Sequence, residues 1–140
     1  MNVRGPLVAD ETYHTYTITM SPMLRDMITY QGYSGNVVAN DQLANSGNAY
    51  EQLVYALSRA KLMDGVPLTG NANDERGVCA TGTLYEFEVL QGTTTIQKLW
   101  TSTCIGSPGS LKANLTQVTN LFDVQIPDFA AQLQKINVND

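Results

Sequence analysis

The segment that decides the fold is Cys79–Cys104, which reads CATGTLYEFEVLQGTTTIQKLWTSTC. Both arms of this segment are rich in β-branched and aromatic residues, which are typical of strands. Gln91-Gly92 lies between the arms, and taking these two residues as a hairpin turn places Cys79 opposite Cys104. The segment therefore predicts an antiparallel hairpin that is closed at its open end by a Cys79–Cys104 disulfide.

The same register divides the hairpin into two faces. The apolar face is expected to hold Cys79, Thr81, Thr83, Tyr85, Phe87 and Val89 together with Ile96, Trp100 and Cys104. The other face is expected to hold Gly82, Leu84, Glu86, Glu88, Thr95, Gln97 and Leu99. A shift by one residue would mix these two sets, so the pattern itself supports the register. A turn at Gly92-Thr93 is the alternative, and it makes the two cysteines diagonal neighbours.

The cysteine pair also bears on the compartment. Closing a loop of about 26 residues stabilises a fold by about 3.5 kcal/mol on the chain-entropy model, and such disulfides persist in oxidising compartments. Two free buried thiols are the alternative. The chain has no run of about 18 apolar residues, and its first residues lack the apolar region of a signal peptide. We expect a periplasmic or extracellular protein whose signal peptide is not part of this sequence.

Composition excludes several classes of function. The 140 residues include 8 Lys and Arg against 13 Asp and Glu, which gives a net charge of −5. A nucleic-acid binder or a polybasic membrane-surface protein needs a basic face, so neither is expected. The length predicts one domain over residues 1–140, with an N-terminal arm at 1–11 and a tail at 137–140.

Two helices are predicted from capping residues and apolar stripes. The first is expected to begin at Asn48, with Glu51 completing a capping box, and to end before Gly65; its stripe comprises Tyr50, Leu53, Val54, Leu57 and Ala60. The second is expected to begin at Asn114, and its stripe comprises Leu115, Val118, Leu121, Phe122 and Ile126. Pro127 ends it, and residues 128–136 are expected to add a further helical turn or two.

Three strands are expected before the first helix, at 12–20, 24–31 and 36–43, with a turn at Gly32–Gly35. Ser21-Pro22 is also a plausible helix start, but Ile28, Thr29 and Tyr30 favour a strand. The prediction is an α+β domain with an antiparallel sheet of about five strands, in the order β-β-β-α-β-β-α. Its two helices are expected to cover one face of the sheet.

Candidate catalytic groups are few. His14 is the only histidine, so any Ser-His-Asp or Cys-His site must use it, although a half-buried strand histidine is the simpler interpretation. Glu86 and Glu88 are expected on one strand face about 7 Å apart, a separation that glycosidases use. That face also carries Thr95 and Gln97, which indicates a solvated surface.

Two metal sites can be considered. Met20, Met23 and Met27 lie close together in sequence and offer thioether ligands for Cu(I), although methionines more often fill core gaps. Residues 71–75 are rich in oxygen ligands suited to calcium, but their spacing is not that of an EF-hand. We expect no cofactor.

The remaining candidates are surface residues. Tyr30 and Tyr33 flank the predicted turn at Gly32, and tyrosine is a favoured anchor at protein interfaces. We expect a small exported protein-binding module, such as an enzyme inhibitor or a toxin-immunity protein, rather than an enzyme. Its partner is expected to be another protein of basic character. The alternatives are a hydrolase that uses Glu86 and Glu88 or His14, and a Met-rich Cu(I)-binding protein.

Overall fold

A computed structural model describes residues 1–137 of the chain, which fold into one sheet and three α-helices. The last three residues of the predicted tail lie outside the described residues. In chain order the elements are β1 (Asn2–Arg4), β2 (His14–Met20), β3 (Leu24–Gln31), β4 (Asn36–Ala44), α1 (Gly47–Arg59), β5 (Leu84–Gln91), β6 (Thr94–Ser102), α2 (Leu115–Asp123) and α3 (Phe129–Asn137). Within residues 1–137, no helix has the length and apolar character needed to cross a bilayer.

The sheet has six strands in the order β4-β3-β2-β1-β5-β6, and every neighbouring pair is antiparallel. The α+β class is confirmed, but the number of strands is six rather than about five. The additional strand is β1, which lies within the segment that we assigned to an N-terminal arm. Because β1 is only three residues long, it carries no alternation of apolar and polar residues that a sequence pattern can reveal.

The three strands predicted before the first helix are confirmed, and the ambiguous segment forms strand β3. Ser21 does not cap a helix there. Instead its hydroxyl accepts a hydrogen bond from Leu24 N at 2.9 Å, and its own N–H donates to Leu24 O at 2.8 Å. These bonds close the tight turn between β2 and β3.

The predicted hairpin register is wrong, because the turn lies at Gly92-Thr93 and a bulge follows between Val89 and Leu90. Phe87 therefore pairs with Leu99 instead of Ile96. The two faces of β5 are as expected, but those of β6 are exchanged from Gln97 onward, beyond the bulge. Leu99 is fully buried beside Phe87, whereas Ile96 is 61% exposed.

The Cys79–Cys104 disulfide is confirmed, with a Cα–Cα distance of 5.5 Å. Neither cysteine lies in a strand, since β5 begins at Leu84 and β6 ends at Ser102. The bond instead joins the two segments that leave the hairpin, next to a hydrogen bond from Thr103 N to Thr83 O of 2.9 Å. The pairing was predictable despite the wrong register because both segments leave the same end of the ribbon.

One face of the sheet carries the core. Ile18, Met27, Phe87 and Leu99 are fully buried there and cluster with residues of all three helices. Phe87 lies 5.9 Å from Phe122 of α2, measured between ring centroids. The helices thus cover one face, as the amphipathic stripes predicted, and there are three of them rather than two because residues 129–137 form α3.

The predicted capping residue of α2 is confirmed, whereas those predicted for α1 differ from the structure. Asn114 caps α2 as expected, with its side-chain oxygen 2.9 Å from Gln117 N. α1 begins one residue before the predicted Asn48, because Ser46 is the capping residue and its hydroxyl accepts from Ala49 N. Lys61, rather than Gly65, adopts the left-handed conformation after α1, with φ of 59°.

Candidate functional site

The two sets of predicted catalytic residues lie on opposite faces of the sheet. His14 shares the register position of Tyr16 and Ile18, on the side that the helices cover, and its Nδ1 lies 2.8 Å from Thr12 O. Glu86 and Glu88 project from the opposite face, which the helices do not cover and which we call the open face. Glu86 pairs there with Asn2 of the neighbouring strand β1. The structure therefore does not bring the histidine and the two glutamates together.

Glu86 and Glu88 share one face, and the side chain of Asn2 links them. Asn2 Nδ2 lies 3.4 Å from Glu86 Oε2 and 3.0 Å from Glu88 Oε1. Thr95 Oγ1 also donates to Glu88 Oε2 at 2.8 Å. The neutral side chains of Asn2 and Thr95 thus contribute hydrogen bonds to these carboxylates at the seam between β1 and β5.

A third glutamate, Glu75 of the oxygen-rich loop considered above for calcium, completes what we call the carboxylate cluster: Glu75, Glu86 and Glu88. Lys98 Nζ lies 3.0 Å from Glu75 Oε1 and 3.5 Å from Glu86 Oε2. The loop that carries Glu75 folds over the open face of the sheet and so places Glu75 near Lys98 and Glu86. A hydrogen bond from the Arg4 side chain to Val78 O also holds this loop in place. Glu75 lies in that loop, where no strand or helix pattern signals burial.

The pKa values of two members of the carboxylate cluster are shifted in opposite directions. Burial and, to a smaller extent, the neighbouring Glu86 raise the pKa of Glu75, Lys98 opposes the shift, and the resulting pKa is about 7. Burial also disfavours the charged form of Glu86, but the hydrogen bond from Glu75 and the charge of Lys98 outweigh it and hold its pKa below the usual value. At neutral pH this pair can share a proton, with Glu75 as the donor.

The three methionines considered for Cu(I) differ in their surroundings. Met27 is fully buried in the core, whereas Met23 is 75% exposed. Met20 is half-buried at the end of β2. The oxygen-rich loop is likewise divided, because Asp74 pairs with Arg76 at 2.6 Å while Glu75 turns toward Lys98. Among the described residues, no group of three or more His, Cys, Asp or Glu side chains is placed to hold a metal ion.

Tyr33 contacts its own chain. Its ring stacks on Tyr13 with centroids 4.1 Å apart, and its hydroxyl donates to Val8 O at 2.8 Å. Tyr30 is half-buried on β3. A role for Tyr30 and Tyr33 in partner binding stays a prediction, and Tyr33 would have to act from this packed position.

A concave surface, which we call the groove, lies between β2, β5 and α1 and has a volume of about 440 Å³. Its wall is the apolar stripe of α1, including Leu53, Val54 and Leu57. Met20 lines it on the β2 side, and Val89 and Leu90 line it on the β5 side. The sequence analysis predicted the stripe of α1 but assigned all of it to the core.

Comparisons of the chain with protein-family models, with curated proteins and with solved structures find no match. The groove and the carboxylate cluster therefore have to be interpreted from their own geometry.

The groove remains open because α1 is only partly buried against the sheet. Leu53 is 4% exposed, but Val54 is 45% exposed, and the facing Leu90 is 49% exposed. Glu88 belongs to both sites, since it lines the groove and is a member of the carboxylate cluster. Two acidic residues, Asp64 and Glu88, and one basic residue, Lys61, thus adjoin the apolar wall.

Proposed function

We propose that this protein is a protein-binding module that holds a segment of its partner in the groove. The observation that carries the proposal is an open apolar concavity of about 440 Å³ in which Val54, Val89 and Leu90 are left exposed. Exposed apolar side chains that line a concave surface are typical of binding sites, because a bound group removes them from water. Scattered apolar residues on a convex surface carry no such implication.

Charge supports a basic partner. The chain has a net charge of −5, and Glu86 and Glu88 lie together beside the groove. An acidic surface accelerates encounter with a basic protein and disfavours acidic competitors. We therefore propose that the partner presents Lys or Arg next to its apolar contact residues.

An exported inhibitor or toxin-immunity protein is the form of this function that we favour. The Cys79–Cys104 disulfide is compatible with an oxidising compartment, where such proteins act. Inhibitors and immunity proteins act by binding alone, so they need a binding surface and no catalytic residues. An apolar groove next to acidic side chains provides such a surface.

Site-specific photocrosslinking tests the proposal. A benzophenone amino acid at Val54 points into the groove, whereas the same amino acid at Tyr55, its neighbour on α1, is 64% exposed and outside the groove. We expect the Val54 probe to crosslink a discrete basic protein in secreted or periplasmic extracts of the producing organism. We expect the Tyr55 probe to give no such product.

Equal crosslinking from both positions would indicate non-specific contact and would contradict the proposal. No product from Val54 would contradict it as well. The substitutions Val54→Asp and Tyr55→Asp form a second matched pair. The first should abolish binding to the captured partner, and the second should leave it unchanged.

A hydrolase is the second candidate, favoured by the opposite pKa shifts of Glu75 and Glu86. Carboxyl groups whose pKa values are pushed apart can divide the roles of acid and base. Assays with nitrophenyl glycosides test this alternative, with Glu86→Gln as the control. Turnover that is lost in the variant and that declines above the pKa of Glu75, about 7, would favour the enzyme.

A further inference from the structure

The two edges of the sheet are β4 and β6, and they differ in how they are covered. On β6, Trp100 N donates to Ser110 Oγ at 3.1 Å and Ser110 N donates to Trp100 O at 2.9 Å, so the segment after the strand covers that edge. β4 is nine residues long and, within residues 1–137, pairs only with β3. Its outer edge therefore presents main-chain groups that can pair with a further strand.

The outward main-chain groups of β4 are those of Asn40, Gln42 and Ala44. Asn45 N donates to Met23 O at 2.9 Å, so the main-chain groups of Asn45 face β3. The facing direction alternates along an antiparallel strand, and the register of β4 with β3 is regular over this part of the strand. The side chains of Asn40, Gln42 and Ala44 are exposed as well.

This part of β4 carries few of the features that prevent strand addition. β4 contains no Lys, Arg or Pro, and its bulged residue, Val38, lies toward the other end of the strand. Asp41 is the only charged residue of β4, and it lies on the face that the helices cover, because it pairs with the buried Met27. A charge on that face of an edge strand opposes pairing unless the added strand brings the opposite charge with it.

The opposite charge lies at the same edge. The side chain of Arg25 extends across β4, where its Nε donates to Ala44 O at 3.3 Å and its Nη1 donates to Gln125 O at 2.9 Å. The guanidinium thus reaches the outer edge of β4 on the same face as Asp41. Within residues 1–137, neither Arg25 nor Asp41 forms an ion pair.

A second copy of the chain can pair with this edge in one favourable register. Two copies related by a two-fold axis perpendicular to the sheet bring their β4 strands together antiparallel. With Gln42 at the axis, it faces Gln42 of the other copy, and Asn40 of each copy faces Ala44 of the other. All of these residues have outward main-chain groups, so each facing pair can exchange two hydrogen bonds.

The charges are complementary in the same register. Asp41 of each copy then lies opposite Leu43 of the other copy, on the helix-covered face. Arg25 is the neighbour of Leu43 on β3, and its guanidinium already reaches the edge. Each Asp41 therefore meets an Arg25 of the other copy, once on each side of the two-fold axis.

The neighbouring registers are less favourable. An axis at Asp41 would place two carboxylates directly opposite each other, which is destabilising. An axis at Asn40 would bring Gln42 against the bulged Val38, where regular pairing is interrupted.

We propose that two copies of the chain associate through β4, with Gln42 at the two-fold axis and with Arg25 of each copy paired with Asp41 of the other. The two sheets then form one continuous antiparallel sheet. Because few residues take part, we expect a weak dimer that exchanges with the monomer, half-formed at about 100 µM. This inference goes beyond the proposed function and does not depend on it, since no residue of β4 lines the groove.

The first test is a charge exchange in the full chain, followed by sedimentation velocity from about 10 µM to about 1 mM. Arg25→Glu and Asp41→Lys each create like-charge contacts in their own homodimer, so each should weaken association at least about tenfold. In an equimolar mixture, Glu replaces Arg25 in one copy and Lys replaces Asp41 in the other, so both contacts are attractive again. We expect the mixture to recover the association of the native chain.

The second test fixes the register with a matched pair of cysteine variants. The Cα atoms of two Gln42 residues that face each other lie about 5.5 Å apart, within disulfide range, so Gln42→Cys should form a covalent dimer under mild oxidation. Two Asn40 residues are offset by four positions along the strand, or about 13 Å, so Asn40→Cys should not. Mass spectrometry with and without reductant measures the yield. These exposed positions also serve if Arg25→Glu or Asp41→Lys does not fold.

Several results would overturn the inference. A native chain that stays monomeric at about 1 mM would do so, including one whose β4 is covered by a different protein. Folded charge variants whose mixture fails to recover association would do so too. Equal yields of covalent dimer from Gln42→Cys and Asn40→Cys, or no covalent dimer from Gln42→Cys, would contradict the register.

Discussion

Met1 and Ile18 exchange two main-chain hydrogen bonds, of 2.9 Å from Met1 N and 2.8 Å from Ile18 N. This exchange fastens the short strand β1 at the centre of the sheet. On one side of β1 lie β2, β3 and β4, and on the other lie β5 and β6. Three residues of β1 thus join two parts of the sheet that have no other strand pairing with each other.

Loss of packing in β1 should destabilise the whole fold. Val3 is 6% exposed and belongs to the core cluster, so Val3→Ala should lower the free energy of unfolding by about 2–3 kcal/mol. Urea unfolding followed by Trp100 fluorescence and by circular dichroism measures the change. Val8→Ala is the matched control, since Val8 is 44% exposed, and it should change stability by less than about 0.5 kcal/mol. Separate transitions for the two probes would contradict a single cooperative sheet.

Removing the disulfide should cost about 3.5 kcal/mol of unfolding free energy on the chain-entropy model. The double substitution of Cys79 and Cys104 by serine leaves the strands intact, because neither cysteine lies in one. Urea unfolding of this variant should match that of the native chain in reductant. A chain whose stability is unaffected by reductant would contradict the bond.

Substitution by alanine should destabilise the fold by different amounts at two glycines that have similar backbone angles. Gly109 and Gly35 have φ of 67° and 71°, so both substitutions place alanine in the left-handed region. A Cβ at Gly35 meets open space, and Gly35→Ala should cost about 1–2 kcal/mol. A Cβ at Gly109 would lie 2.2 Å from Trp100 O, so Gly109→Ala should cost more than about 3 kcal/mol.

Thermal denaturation measures both glycine variants. A shift in Trp100 emission in Gly109→Ala alone would identify the segment that includes Gly109 as a cover on Trp100. Equal losses in the two variants would show that backbone conformation alone sets the cost.

Asp123 should make stability depend on pH. Burial raises its pKa from 3.8 to about 6, and its buried Oδ1 has no hydrogen-bond partner within residues 1–137. A carboxyl with a raised folded pKa holds its proton in the folded state at pH values where the unfolded state has lost it. Its contribution to stability is therefore present near pH 4 and is lost as the pH rises through about 6.

Asp123→Asn isolates this effect, because other titrating groups are the same in both proteins. The melting temperature of the variant relative to the native chain should rise between pH 4 and pH 7 and then level off. Asp128→Asn removes a carboxyl group at an exposed position and is the control, measured over the same pH range. A pH-independent difference for Asp123→Asn would contradict a raised pKa.

Local signals in the sequence predicted most elements of this fold. The bounds of β3 and the Asn114 cap of α2 follow from residues a few positions apart, so sequence patterns locate them. The faces of β6 do not, because one extra residue, Ile96, lies opposite Val89 and Leu90 and reverses the faces from Gln97 onward. The preference of β-branched residues for strands carries no information about such a bulge.

The candidate sites were harder to predict because they arise between elements. Val54 belongs to an apolar stripe that could equally have been core, but it lines the groove and is 45% exposed. Glu75 meets Lys98 and Glu86 because a loop crosses the open face. A sequence pattern reports which side chains share a face of one element, but not how far neighbouring strands extend past one another.

The Cys79–Cys104 bond has a consequence for proteolysis. It closes a covalent ring around the β5–β6 hairpin, and the tip of that ring at Gly92-Thr93 is exposed. A protease that cuts the tip would divide the polypeptide in two but leave the halves joined through sulfur. Outside a reducing environment, a nicked molecule would keep β5, which lines the groove, joined to β6 at the far end of the ribbon.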